Sequence, residues 1–279
     1  MQGKTVVITG ATSGIGAVAA ERLAAMGARI VLIARDRLRA EAALTHIGGA
    51  NPNAQHTVHY ADLSRFAEMK RVAAEIAAAE PTIDVLVNNA GALFARRCET
   101  ADGLEMTFAL NHMAYFVVTA GLLDRLKATP GARVVSTASD AHQYGRIDFD
   151  DLQSKSNYRG LRVYGTSKLA NILFTRALAR RLAGSGVTAN CLHPGFVDTR
   201  FGGNNDGFMG LGFGIAKKIA AITPKAGART IVYLASSEAV AGHSGGYYYK
   251  CALATPTAAA QNDADAEKLW AVSEEIASG

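Results

Sequence analysis

Short apolar, β-branched runs alternate with longer, alanine-rich segments along the 279 residues, and this alternation narrows the fold more than any other feature. Val6-Val7-Ile8 and Ile30-Val31-Leu32-Ile33 place no polar residue on either side of the strand. Such strands need cover on both faces, as in a parallel sheet. Residues 14–26 between them read as a helix that Gly27 stops. The pattern continues with strands at 58–61, 83–87, 133–137, 187–192 and 246–249. Helices are expected at 36–47, 66–79, 104–126, 164–182, 224–236 and 264–276. Right-handed strand–helix–strand crossovers wind such a sheet in both directions, with ligands at the carboxyl ends of its strands. The expected fold class is α/β: a doubly wound parallel sheet in three layers and a single domain over 1–279. A glycine-rich stretch within 200–222 reads as a lid over the substrate pocket rather than a domain boundary, with a membrane-surface element as the competing reading.

The first strand runs directly into Thr9-Gly10-Ala11-Thr12-Ser13-Gly14-Ile15-Gly16 and then a helix. Gly10 permits a tight turn, Gly14 a close approach to a pyrophosphate, and Gly16 close packing of the helix on the sheet. Free N–H groups and the helix dipole favour an anion there. Strand, glycine turn and helix together describe a dinucleotide site of the Rossmann fold, although the spacing is GxxxGxG. The end of the second strand chooses the dinucleotide. A carboxylate there suits a ribose hydroxyl. Here Arg35 stands at that place with Arg37 nearby, and a guanidinium suits a 2′-phosphate. Asp36 is the competing acid, and it also reads as a helix N-cap. NADP(H) is therefore expected over NAD(H). The net charge of +5 is scattered, which suits an anionic cofactor and gives no footprint for nucleic acid.

Tyr164 and Lys168 stand four residues apart on an expected helix, so both point into one cleft. A cation beside a phenol favours the phenolate and eases proton transfer. Ser139, at the end of the fifth strand, can hydrogen-bond a carbonyl held near Tyr164, with Ser136 as its competitor. Asn111 is a poor helix former inside an apolar helix; its plain reading is a satisfied buried amide. Asn88-Asn89-Ala90-Gly91 follows the fourth strand where a cofactor would pass. Asp62, after the third strand, can accept from an adenine. His193-Pro194-Gly195 closes the sixth strand, and Thr199 follows it. His46, His56 and His59 read as loop and strand surface rather than a metal site, so no metal is expected.

In this order the motifs resemble the short-chain dehydrogenase/reductase family of the non-extended type. The resemblance covers nearly the whole chain. It rests on TGATSGIG, the Asp62-Leu63 pair, NNAG at 88–91, Asn111, Ser139, YGTSK at 164–168 and HPGFVDT at 193–199. It implies a catalytic tetrad of Asn111, Ser139, Tyr164 and Lys168. Lys168 would hold the nicotinamide ribose, Asn111 would anchor a relay water, and Val197 and Thr199 would meet the carboxamide. Ala-Arg-Asp at 34–36, Ser-Asp-Ala-His at 139–142, Phe149-Asp150-Asp151-Leu152 and Leu269-Trp270 resemble the retinol-dehydrogenase-like branch. The implied reaction interconverts an alcohol and a carbonyl, an aldehyde or ketone, on a small apolar substrate. A retinoid or steroid dehydrogenase, a light-driven protochlorophyllide reductase and a dinucleotide sensor without turnover are the alternatives. A sensor would have lost Tyr164 or Lys168. The resemblance also implies a homodimer or homotetramer through the helices near 104–126 and 164–182.

Three cysteines, Cys98, Cys191 and Cys251, lack disulfide or zinc spacing and suit a reducing cytoplasm. The start of the chain shows no targeting segment. No run of about 18 uninterrupted apolar residues occurs, so no membrane span is expected.

Overall fold

The computed structural model describes residues 1–195 and 223–278. The strands are β1 (Thr5–Thr9), β2 (Arg29–Ala34), β3 (Thr57–Tyr60), β4 (Val85–Asn88), β5 (Arg133–Thr137), β6 (Thr188–Leu192), β7 (Tyr247–Tyr249) and β8 (Ala252–Ala254). They lie in the order β3-β2-β1-β4-β5-β6-β7-β8. Every pair is parallel except β7 with β8. The chain therefore winds outward from β1 toward β3, then returns to β4 and winds the other way. The crevice at that reversal lies above β1 and β4, whose register pairs Val6 with Val85 and Ile8 with Val87.

Both faces of the central strands are covered, as their unbroken apolar runs require. Val6 and Ile8 point to the side of α1 (Gly14–Ala25), α2 (Arg37–Ala50) and α7 (Pro224–Ser236), where Leu23, Ile47 and Ile231 meet them. Val7 points the other way, into a cluster with Val72 and Ile76 of α3 (Phe66–Ala79). That cluster continues into α5 (Ala114–Ala128) through Val118 and Leu122, and into α6 (Gly160–Arg181) through Phe174 and Leu178.

Two elements depart from the sequence reading. The long helix expected at 104–126 is interrupted: α4 (Met106–Phe108) passes into a π-helical turn, Ala109–Met113, before α5 begins. The turn carries Asn111, and such turns mark functional positions. By length and composition Met106–Ala128 could cross a membrane, with a mean hydropathy of 1.4, but 72% of its apolar window is buried within the fold. The second departure is β8, which pairs with β7 across Lys250 and Cys251. Both hold positive φ, 49° and 64°, without the glycine or asparagine that announces a tight hairpin.

The closing helix α8 (Asp263–Ser278) docks on α6 and α5. Arg176 and Arg180 pair with Asp263 at 2.8 and 2.6 Å, and Arg180 and Arg181 with Glu267 at 2.7 and 2.6 Å. Trp270 stacks on Phe174 at 5.8 Å and meets Phe116 edge-on at 4.9 Å. Beneath them His112 bonds Ser273 at 2.9 Å, and burial draws its imidazole down to about 4. His56 is not plain surface either: its Nδ1 accepts from the Ile30 amide at 3.0 Å, and burial lowers its pKa.

Candidate active site

The turn after β1 is shaped for an anion. Gly10 sits at φ 67° and Gly14 at φ 60°, conformations that an L side chain strains to adopt. A β-carbon on Gly10 would lie 2.6 Å from the Ala90 backbone, and one on Gly16 would lie 2.3 Å from the Gly10 carbonyl oxygen. Gly16 thus does what its spacing implied: it lets α1 press against the turn. Ser13 precedes α1 in extended conformation, its side chain caps nothing, and the first turn of α1 holds no acid. No side chain caps the leading N–H groups of α1 near Thr12, Ser13, Gly14 and Ile15, which leaves them available to an anion.

Asn89 fastens this turn to the end of β4. Its Nδ2 donates to the Thr9 and Gly10 carbonyls at 3.2 and 3.0 Å, and its Oδ1 accepts from Thr137 Oγ1 at 3.3 Å. The amides of Asn89 and Ala90 donate to Thr9 Oγ1 at 2.9 and 3.0 Å. Thr9 and Thr137 are thus structural partners of the cradle that the sequence reading did not single out. A threonine at a strand end is too common to signal this alone.

The rim beyond β2 is basic. Arg35 is exposed, and the Arg37 guanidinium lies over the Tyr60 ring at 4.3 Å. Asp36 is occupied as the N-cap of α2: its carboxylate accepts from the Arg39 amide at 3.0 Å. Asp62 holds a tight turn by accepting from the Ser64 amide and hydroxyl at 3.0 and 2.8 Å, with Leu63 buried beside it. Pro194 and Gly195, the latter at φ 87°, leave β6 toward the same crevice. Val197, Thr199 and the lid segment 200–222 lie outside the described residues.

Ser139, Tyr164, Lys168 and Asn111 converge beside this cradle. Ser139 lies two residues beyond β5, capping the short 3-10 turn Asp140–Tyr144; its Oγ accepts from the Ala141 amide at 3.2 Å. The same hydroxyl hydrogen-bonds Tyr164. Its competitor Ser136 is buried within β5, and its Oγ has no hydrogen-bond partner among the described residues. Strand alternation and two residues of reach separate the two serines.

Tyr164 and Lys168 share one face of α6, as their spacing required. Lys168 is almost wholly buried; its Nζ donates to the Thr137 carbonyl at 3.0 Å and lies 5.6 Å from the ring centroids of both Tyr164 and Tyr115. Burial draws the Lys168 amine down to about 7. Burial also pushes the Tyr164 phenol well up, and the Ser139 bond pulls it partly back. Burial thus favours the neutral phenol, where the spacing alone had pointed to an eased phenolate.

Asn111 is fully buried. Its Oδ1 accepts from the Ala92 amide at 2.8 Å; its Nδ2 donates to the Ala92 carbonyl at 2.9 Å and to Ser167 Oγ at 3.0 Å. It braces the loop after β4 against α6, the satisfied buried amide that the residues alone suggested. Gly91 leaves room between them: a β-carbon there would lie 3.1 Å from Asn111 Oδ1 and 3.4 Å from Lys168 Nζ. The uncapped helix and glycine cradle fit the central pyrophosphate of a dinucleotide, and the Lys168 amine fits one of its two riboses.

The family described as short chain dehydrogenase matches residues 4–208. Retinol dehydrogenase 14 of Mus musculus is 41% identical over 291 aligned positions, covering 98% of this chain and 86% of that protein. An uncharacterized protein from Mycobacterium paratuberculosis, known from its crystal structure, superposes with a TM-score of 0.79 at 32% identity over 99% of this chain and 94% of that one. A short chain dehydrogenase from Burkholderia cenocepacia, solved with NADP, has a TM-score of 0.71 at 27% identity, covering 88% of this chain and 95% of that one.

Proposed function

The chain belongs to the short-chain dehydrogenase family, in its retinol-dehydrogenase-like branch, and from that premise we propose that it interconverts a small apolar carbonyl compound and its alcohol using NADP(H). As a family member it is an oxidoreductase acting on CH–OH and C=O groups. The observation that carries the finer reading is the convergence of Ser139, buried Tyr164 and buried Lys168 beside the glycine cradle. When bound, the dinucleotide supplies hydride to the carbonyl carbon or takes it from the alcohol.

The residues divide the remaining work. The Ala141 amide occupies one lone pair of Ser139 Oγ, and the hydroxyl that meets Tyr164 would turn its proton to a substrate oxygen placed between the two. Ser139 and Tyr164 thus offer two donors to one carbonyl oxygen, and the phenol gives up its proton as that oxygen gains charge. In the oxidation direction the phenolate takes the proton from the alcohol. Lys168 would lend positive charge beneath the phenol and hold the ribose of the bound dinucleotide, while Asn111 keeps the loop after β4 and α6 at a fixed separation. Ser139→Ala should lower kcat by about 100-fold or more, the usual scale for one such donor, and Ser136→Ala by little. The reverse ranking would reassign the serine.

Two features favour NADP(H) over NAD(H): Arg35 stands open after β2, and Asp36 is committed to capping α2. Arg35→Ala should weaken NADPH by about 1–3 kcal/mol and leave NADH nearly unchanged. Equal affinity of the unmodified protein for both would overturn the preference. The 41% identity to a retinol dehydrogenase favours a second reading of the substrate, a retinoid. A panel of aldehydes and ketones that includes retinal separates the two.

Cys98, Cys191 and Cys251 are free thiols, which supports a reducing, cytoplasmic setting. Assembly as a homodimer or homotetramer through the helices near 104–126 and 164–182 stays part of this proposal; helix α8 packs on both through Trp270, so a contact between copies would use the faces that α8 leaves open.

A further inference from the structure

His142 is buried in the 3-10 turn directly after Ser139 and belongs to none of the roles above. Both of its ring nitrogens are engaged. Nδ1 lies 2.8 Å from the Ser139 carbonyl oxygen, and Nε2 lies 3.2 Å from the Thr257 amide nitrogen. A carbonyl only accepts and an amide N–H only donates, so a single tautomer satisfies both bonds, with the proton on Nδ1. The main-chain N–H of His142 reaches the same Ser139 carbonyl at 3.1 Å. Tyr247 packs edge-on against the ring at 5.2 Å, and its hydroxyl lies 3.5 Å from Nδ1, a longer second contact beside the one to Ser139. Thr257 lies between β8 and α8, beyond residues 4–208 that match the family.

We propose that His142 is a positioning residue for Ser139, linking the serine main chain to the C-terminal segment at Thr257. Ser139 needs such a link. It stands outside β5, in extended conformation at the head of a five-residue turn, where no strand ladder fixes it. Its Oγ must nevertheless meet both Tyr164 and a substrate oxygen, and a displacement of about 1 Å at such a position costs roughly 100-fold in rate. The imidazole grips the carbonyl of the residue whose hydroxyl does the work. It is itself gripped by an amide from a different part of the chain, so the turn cannot rotate without breaking both bonds.

The inference rests on the role of Ser139, and a double-mutant cycle separates the two. His142→Leu should lower kcat by about tenfold or more in the unmodified enzyme, leave the KM for NADPH unchanged, and cost less than about twofold in a Ser139→Ala background. His142→Asn keeps an N–H donor near the place of Nδ1 and should recover most of the lost kcat. His142→Gln, which reaches toward Thr257 without that donor, should recover less. These two variants carry the test if His142→Leu does not fold. Equal loss from His142→Leu in both backgrounds, or His142→Gln as active as His142→Asn, would overturn the positioning role and leave the serine assignment standing. Ser139→Ala with unmodified kcat would remove the serine assignment and this inference together.

Discussion

The burial of Lys168 sets two demands against each other. The proposed reaction needs an ammonium beneath Tyr164, yet burial draws the amine from 10.5 down to about 7. The unfolded chain therefore binds more protons than the folded one between those two values. By linkage, stability from this group is full above about 10.5 and is lost as pH falls toward about 7. Lys168→Met should then make the cofactor-free protein more stable at pH 6, by roughly 1–3 kcal/mol, while abolishing turnover. Thermal midpoints at about pH 6 and pH 9.5 check this: above about pH 7 the folded amine is neutral while the unfolded one is still charged, so the advantage should shrink steadily as pH rises toward 10.5. A variant less stable than the parent at pH 6 would mean that the bond to Thr137 outweighs the burial penalty. The convergence of Tyr164, Lys168 and Ser139 was legible in the sequence because the spacing and the strand end agreed with the family resemblance; neither sufficed alone, since Ser136 competed. The Thr137 carbonyl that holds Lys168 was not, since every residue carries a carbonyl and only the fold says which one turns toward the amine. His142 was visible as a letter in a motif, but its partner Thr257 lies 115 residues away.

At the level of elements, periodicity found nearly every strand and helix, because strands buried on both faces leave an unbroken apolar signature. Its misses have local causes. The π-helical turn at Ala109–Met113 has the same apolar pattern as the helix around it; only Asn111, a poor helix former, marked the place. Strand β8 is three residues long and mostly exposed, so burial left no pattern to read. The glycines separate in the same way. Gly10→Ala must place a side chain at φ 67° and 2.6 Å from the Ala90 backbone, and should cost about 2–4 kcal/mol with loss of NADPH binding. Gly48→Ala in α2 meets nothing within 4 Å and should stabilise by about 0.5–1 kcal/mol. Chemical unfolding of both variants measures the contrast, and equal effects would contradict the account of the cradle.

Across the whole molecule, the fold brings together groups from both halves of the chain at one reversal of the sheet. The turn after β1 and the loop after β4 form the cradle, and the residues after β5 and on α6 form the reacting cluster. The C-terminal helix then closes over α5 and α6, so the site is braced from behind by the last residues of the chain. Sheet order and cradle could be anticipated from alternation and glycine spacing; the bracing could not, because it depends on contacts distant in sequence. In the proposed reaction Tyr164 passes the proton during an NADPH-dependent carbonyl reduction. The most direct test incubates the unmodified protein and Tyr164→Phe with NADPH and a panel of aldehydes and ketones, following nicotinamide absorbance and the alcohol formed. The unmodified protein should form alcohol in step with NADPH loss. Tyr164→Phe should bind NADPH with nearly the same affinity yet turn over at least about 100-fold more slowly, the scale of a lost general acid. Turnover by Tyr164→Phe at the unmodified rate would contradict the account.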